Sequence, residues 1–135
     1  MPTSPFNPDD IVLVVDDDPA VRSILAWRIG QLGCTVAEAA SADEAIDVAE
    51  SLGWKIALLV TDVAMPGMSG YILGARLADR CAGLRVLYVT GDIAEDLSDT
   101  AAPRCAWTVL EKPFDMHLFA TTVSELMARV RVSRR

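Results

Sequence analysis

No apolar run in this 135-residue sequence approaches the roughly 20 residues that a membrane-spanning helix needs. The start, Met1-Pro2-Thr3-Ser4-Pro5, lacks the apolar segment of a signal peptide, so the chain is expected to be cytoplasmic. Basic residues are outnumbered, 12 against 19 acidic, and the net charge of -7 advertises no surface for nucleic acid. Direct nucleic-acid binding is therefore not expected. Arg129, Arg131, Arg134 and Arg135 are the one basic cluster, and they read as a helix end whose cations complement its dipole. Cysteine is scarce and odd in number: Cys34, Cys81 and Cys105 are widely spaced, which argues for reduced, buried small side chains and against a disulfide framework. The single histidine, His117, has no ligand partner nearby, so a zinc-type site is a poor reading. There is no internal repeat, no low-complexity block and no G-x-x-x-x-G-K-[ST]. Gly67-Met68-Ser69-Gly70 is not a dinucleotide fingerprint.

What is present fits one domain, and 52% hydrophobic residues can build its core. Residues 1–10 carry three prolines and read as an extended arm, 11–132 as the domain, and 133–135 as a basic tail. Short, β-branched-rich runs with almost no alternation, Ile11–Val15, 56–61 and 107–110, read as strands buried on both faces, hence a parallel sheet. Strands are also expected at 35–38 and 85–89. Asp18 can cap a helix that opens on Pro19, runs to about Leu32 and stops at Gly33. Its core face is Val21, Leu25, Ile29 and Leu32. Ser41-Ala42-Asp43-Glu44 is a capping box opening a helix to about Leu52. Further helices are expected at 71–81, weakly at the acidic stretch 93–101, and from Asp115 onward with Leu118, Thr122, Leu126 and Val130 inward. Five strands alternating with five helices imply a doubly wound α/β sheet with helices on both faces.

Ligands in such sheets bind beyond the carboxyl ends of the strands. Asp16 and Asp17, then Asp62, then Lys112-Pro113 follow three of the apolar runs. Carboxylates gathered there suit Mg²⁺, a hard cation that takes oxygen ligands. Asp62 is the candidate nucleophile, since a carboxylate that attacks phosphorus forms an aspartyl phosphate. Lys112 offers a point charge for the phosphoryl oxygens, Thr90 a hydroxyl, and Gly91 space. Singly these residues say little: a Thr at a strand end is usually structural, and Asp18 is read as a cap only.

Together Val14–Pro19, Leu59–Gly70, Val89-Thr90-Gly91 and Glu111-Lys112-Pro113-Phe114 resemble the response-regulator receiver family of two-component and phosphorelay systems, over about residues 10–130. The last of these motifs is similar to receivers attached to hybrid sensor histidine kinases. The resemblance implies a flavodoxin-like sheet of order 2-1-3-4-5. It implies that Asp62 takes a phosphoryl group from the phosphohistidine of a histidine kinase or phosphotransfer protein. Mg²⁺ would sit on Asp16, Asp17, Asp62 and the backbone carbonyl of Ala64. Thr90 and Lys112 would bind the phosphoryl group, the peptide before Pro113 would be cis, and a segment from Gly91 to about Ala101 would re-pack. The first helix would dock on the kinase, where Ala20, Ile24 and Trp27 form a flank beside the core face. Such a domain is a phosphoacceptor, not an enzyme with an external substrate.

One departure concerns Val109, which stands where many receivers carry Tyr or Phe; Trp107 lies in phase with it but does not occupy its place. Two rival readings make different demands on these positions. An aspartate-based phosphatase of the haloacid-dehalogenase type would want a second Asp two residues after the nucleophile, and Ala64 is there. A pseudo-receiver would typically have lost an acidic residue, the Thr or the Lys, and none is missing.

Overall fold

The computed structural model describes residues 6–91 and 103–133, with side chains to 128. Five strands form one all-parallel sheet in the order β2-β1-β3-β4-β5: β1 (Ile11–Val15), β2 (Thr35–Ala39), β3 (Leu58–Asp62), β4 (Arg85–Thr90) and β5 (Ala106–Glu111). Four helices are described: α1 (Pro19–Gly30), α2 (Ala42–Ser51), α3 (Gly70–Arg80) and α4 (Met116–Ser133). The weak helix expected at 93–101 lies outside the described residues.

Alternate residues of each central strand enter different cores, which is why the sequence shows no alternation. Leu13, Val15, Leu59, Val86 and Tyr88 pack toward Ala45 and Ala49 of α2 and Leu73 and Leu77 of α3. Val12, Val14, Leu58, Val60, Leu87 and Val89 pack on the other face against Leu25 and Ile29 of α1 and Phe119, Val123 and Met127 of α4. No helix among the described residues is long and apolar enough to cross a membrane.

Four expectations need correction. In α4 the inward face is Phe119, Ala120, Val123, Leu126 and Met127, whereas Leu118 is 46% exposed. The apolar positions of this helix are broad enough to fit two stripes, and contact with the sheet selects one. Residues 7–10 are not extended: Asp10 N–H donates to the Asn7 carbonyl and the Asn7 N–H to the Asp10 carboxylate, forming a turn behind the buried Phe6. Ser133, assigned to the tail by sequence, ends α4. Of the cysteines only Cys81 is fully buried; all three are free thiols, and burial pushes Cys34 and Cys105 up to about 11.

Tyr88 is fully buried between the rings of Tyr71 (4.9 Å) and Trp107 (6.1 Å). Its hydroxyl has no hydrogen-bond partner among the described residues and presses on α3 where Gly74 supplies no Cβ. Burial raises its pKa, so the phenol stays neutral. An unsatisfied buried hydroxyl costs about 1 kcal/mol or more. Tyr88→Phe should therefore stabilise the protein by about 1 kcal/mol in urea unfolding; a loss of that size would show a partner for the hydroxyl.

Candidate functional site

The parallel register brings the residues read from sequence to one end of the sheet. Val15 lies beside Thr61, Asp62 beside Val89, and Thr90 beside Glu111. Asp16 is the residue after β1, Asp62 the last of β3, Thr90 the last of β4, and Lys112 the residue after β5. Backbone bonds continue the ladder there: Val63 N–H donates to the Val89 carbonyl (3.0 Å) and Lys112 N–H to the Thr90 carbonyl (2.8 Å).

Carboxylate oxygens of Asp16, Asp17 and Asp62 lie within 4.8 Å of one another. Asp16 is 2% exposed and Asp62 9%, while Asp17 faces solvent. The Lys112 ammonium stands 3.6 Å from Asp62 Oδ2, close enough to offset its charge but too far for a hydrogen bond. Asp62 Oδ1 accepts a long bond from Ala64 N–H (3.4 Å). Thr90 is buried, and Gly91 is exposed with open space where a Cβ would stand. The Lys112-Pro113 peptide is cis.

Asp16 carries the electrostatic stress. Its Oδ1 accepts from Asp18 N–H at 2.9 Å, but the buried Oδ2 has no partner. Desolvation raises its pKa above the ordinary value; the Asp18 amide opposes this, Asp62 adds to it, Lys112 opposes it, and Asp17 adds to it. The donor set is all oxygen, one oxygen of each carboxylate lies within 4.8 Å of the others, and the buried Asp16 Oδ2 lacks a partner, so these residues fit a hard divalent cation. The linkage has a definite sign. A carboxyl whose folded pKa is raised contributes stability below its ordinary pKa and loses it as pH rises through the folded value. Metal-free Asp16→Asn should therefore melt at higher temperature than the parent at neutral pH, the Asp18 bond being retained. A lower midpoint in chelator would contradict the assigned stress.

The flank of α1 is open: Trp27 is 64% and Ile24 52% exposed, with Ala20 also at the surface. Trp107 and Val109 pack half-buried against the same core cluster. Sequence reasoning missed Arg22, whose guanidinium Nη1 donates to the Asp16 carbonyl at 2.8 Å and whose Nε donates to Glu38 at 3.2 Å. The signal was present: a cation in the first turn of a helix opposes the dipole and needs another reason to be there.

A family model described as the response regulator receiver domain matches residues 12–124. The chain is 37% identical over 119 residues to the sensor kinase CckA of Brucella abortus, covering 87% of this chain and 12% of that protein. It is 34% identical over 113 residues to the C4-dicarboxylate transport transcriptional regulatory protein DctD of Pseudomonas aeruginosa, covering 84% and 24%. The chain thus spans a quarter or less of the length of either relative. Among solved structures it is similar to the receiver domain from the hybrid histidine kinase CckA, with a TM-score of 0.65, 31% identity and coverage of 87% and 98%. A receiver domain protein from Methanospirillum hungatei gives a TM-score of 0.75 at 25% identity, covering 90% and 97%.

Proposed function

Because this chain belongs to the response regulator receiver family, we propose that it accepts a phosphoryl group on Asp62 from the phosphohistidine of a histidine kinase or phosphotransfer protein. The observation that carries the residue assignment is the meeting of Asp16, Asp17, Asp62 and Lys112 at the carboxyl end of the sheet. An Asp62 carboxylate oxygen forms a bond to phosphorus as the phosphorus–nitrogen bond of the donor breaks. That electron pair returns to the imidazole, which leaves neutral after taking a proton from solvent.

Asp16, Asp17, Asp62 and the Ala64 carbonyl would hold Mg²⁺, which when bound offsets the charge of carboxylates and phosphoryl oxygens. Lys112 supplies the second positive charge, and Thr90 with Gly91 receives the phosphoryl oxygens and begins the conformational switch. That switch runs into residues outside those described. With Val109 in place of an aromatic, its readout uses a different side chain. The receiver unit runs from β1 at Ile11 to the end of α4 at Ser133. The chain acts in the cytoplasm as a phosphoacceptor, not as an enzyme on an external substrate; Ala64 argues against the phosphatase reading. Incubation with a small acyl phosphate and a magnesium salt, followed by intact mass, tests the proposal: one phosphoryl adduct is expected, and none would refute it.

The partner surface is the open flank of α1, since α1 begins beside Asp16 and Asp17 and an exposed indole is a good anchor for another helix. Trp27→Ala and Ile24→Ala should slow transfer from the cognate kinase about tenfold, an anchor being worth more than about 1 kcal/mol. Labelling by the small donor should stay unchanged. Equal slowing of both routes would mean a damaged fold and would remove the partner claim.

A further inference from the structure

We infer that Arg22 is a positioning residue for the cation site, pinning the peptide that joins Asp16 to Asp17. This rests on the reading of those aspartates as magnesium ligands. Asp16 lies one residue beyond β1, where the chain leaves the sheet to enter α1. Its N–H still reaches the sheet, donating to the Ala39 carbonyl at the end of β2 at 3.2 Å. Its carbonyl points away from that ladder and accepts from Arg22 Nη1 at 2.8 Å. The same guanidinium donates through Nε to Glu38 of β2 at 3.2 Å. Both backbone polar groups of Asp16 are thus tied to the end of β2, one directly and one through Arg22.

The consequence follows from planarity. The Asp16 carbonyl and the Asp17 N–H belong to one rigid peptide unit. Holding the carbonyl fixes the plane, and with it the direction in which the Asp17 Cα carries its carboxylate. The Asp16 side chain is set separately by the Asp18 N–H. Without Arg22 the peptide could rotate, and the two carboxylates would no longer converge on Asp62.

Two effects of Arg22 oppose each other. Its charge disfavours a nearby dication, while its fork holds the ligands. Glu38 offsets part of the charge at 3.2 Å, whereas loss of a group that orients metal ligands typically weakens binding by about 10–100-fold. Positioning should therefore win. Arginine is needed because one planar guanidinium makes two bonds in different directions, which an ammonium on a flexible stem does not reproduce.

Calorimetric titration of Mg²⁺ into the unphosphorylated full chain tests this without any phosphoryl transfer. Arg22→Met should bind about tenfold more weakly than the parent. Arg22→Lys, which keeps the charge and loses the fork, should stay at least about threefold weaker. Arg22→Met/Glu38→Gln should match Arg22→Met, because Glu38 acts through Arg22. If Arg22→Met does not fold by circular dichroism, Arg22→Gln takes its place with a loss of the same sign. Binding by the Met or Gln variant as tight as the parent or tighter, or full recovery by Lys, would overturn the inference. A parent that binds no Mg²⁺ would overturn the ligand assignment as well; a parent that binds beside indifferent Arg22 variants would overturn the positioning role alone.

Discussion

Asp62→Asn is expected to abolish labelling by a small acyl phosphate under conditions in which the parent gains one phosphoryl group. The substitution leaves shape almost unchanged and replaces a nucleophilic oxygen by an amide, so the loss is chemical and not structural. Asp62 is the right carboxylate on geometry. It ends the central strand β3, and the Lys112 ammonium stands 3.6 Å from its Oδ2. Asp16 is 2% exposed with one oxygen bonded to a backbone amide, which leaves it poorly placed to attack an incoming phosphorus. Asp17, though exposed, lies beside Asp62 and has no such ammonium partner among the described residues. Asp16→Asn and Asp17→Asn should therefore label more slowly and recover as Mg²⁺ is raised, whereas Asp62→Asn should not recover at any concentration. Peptide mapping after borohydride trapping reads the position. Stoichiometric labelling of Asp62→Asn would remove the nucleophile assignment while leaving the family membership intact.

The strands were legible because burial on both faces removes the period-two pattern and leaves bare apolar runs, as in Leu58–Val60. The site was legible for a related reason: in a parallel sheet every strand points the same way, so residues just past several runs must meet at one end. Two caps were legible too, since Asp18 and Ser41 accept amides at the starts of α1 and α2, whereas the Ser69 cap of α3 went unread in its loop. In α2 the reciprocal contact shifts by one residue, Glu44 accepting from Ala40 N–H. The facing of α4 was not legible, because Leu118 and Phe119 are adjacent and equally apolar, and only the sheet decides which is covered. Arg22 was not legible in its role, because that role depends on where a single carbonyl points. Nor does sequence show the Tyr71–Tyr88–Trp107 cluster, which needs α3, β4 and β5 placed together.

Gly70→Ala should be the most damaging single methyl in the domain, costing about 3 kcal/mol and slowing phosphorylation as well. Gly70 opens α3 against the backbone of Asp62 and Val63. A Cβ there would run into the Asp62 carbonyl oxygen and come within 3.0 Å of the Asp62 carbonyl carbon and the Val63 Cα. All three are backbone atoms, so no rotamer change relieves the contact. The approach is also locked from both sides. Gly70 N–H donates to the Val63 carbonyl at 3.0 Å, and the Asp62 carbonyl accepts from the buried Thr61 hydroxyl at 2.9 Å. If α3 retreats, it loses the Val63 bond and draws Tyr71 away from Tyr88. If the strand end retreats, Asp62 leaves its place beside Lys112. Either route couples stability to chemistry, so the urea midpoint and the labelling rate should fall together in this variant. Gly91→Ala is the matched control, because a Cβ there meets nothing within 4 Å; its stability should stay within about 0.5 kcal/mol of the parent. A Gly70→Ala protein as stable as that control would mean that α3 can move away from Asp62 at no cost, and the close seat of this helix on the site would have to be given up.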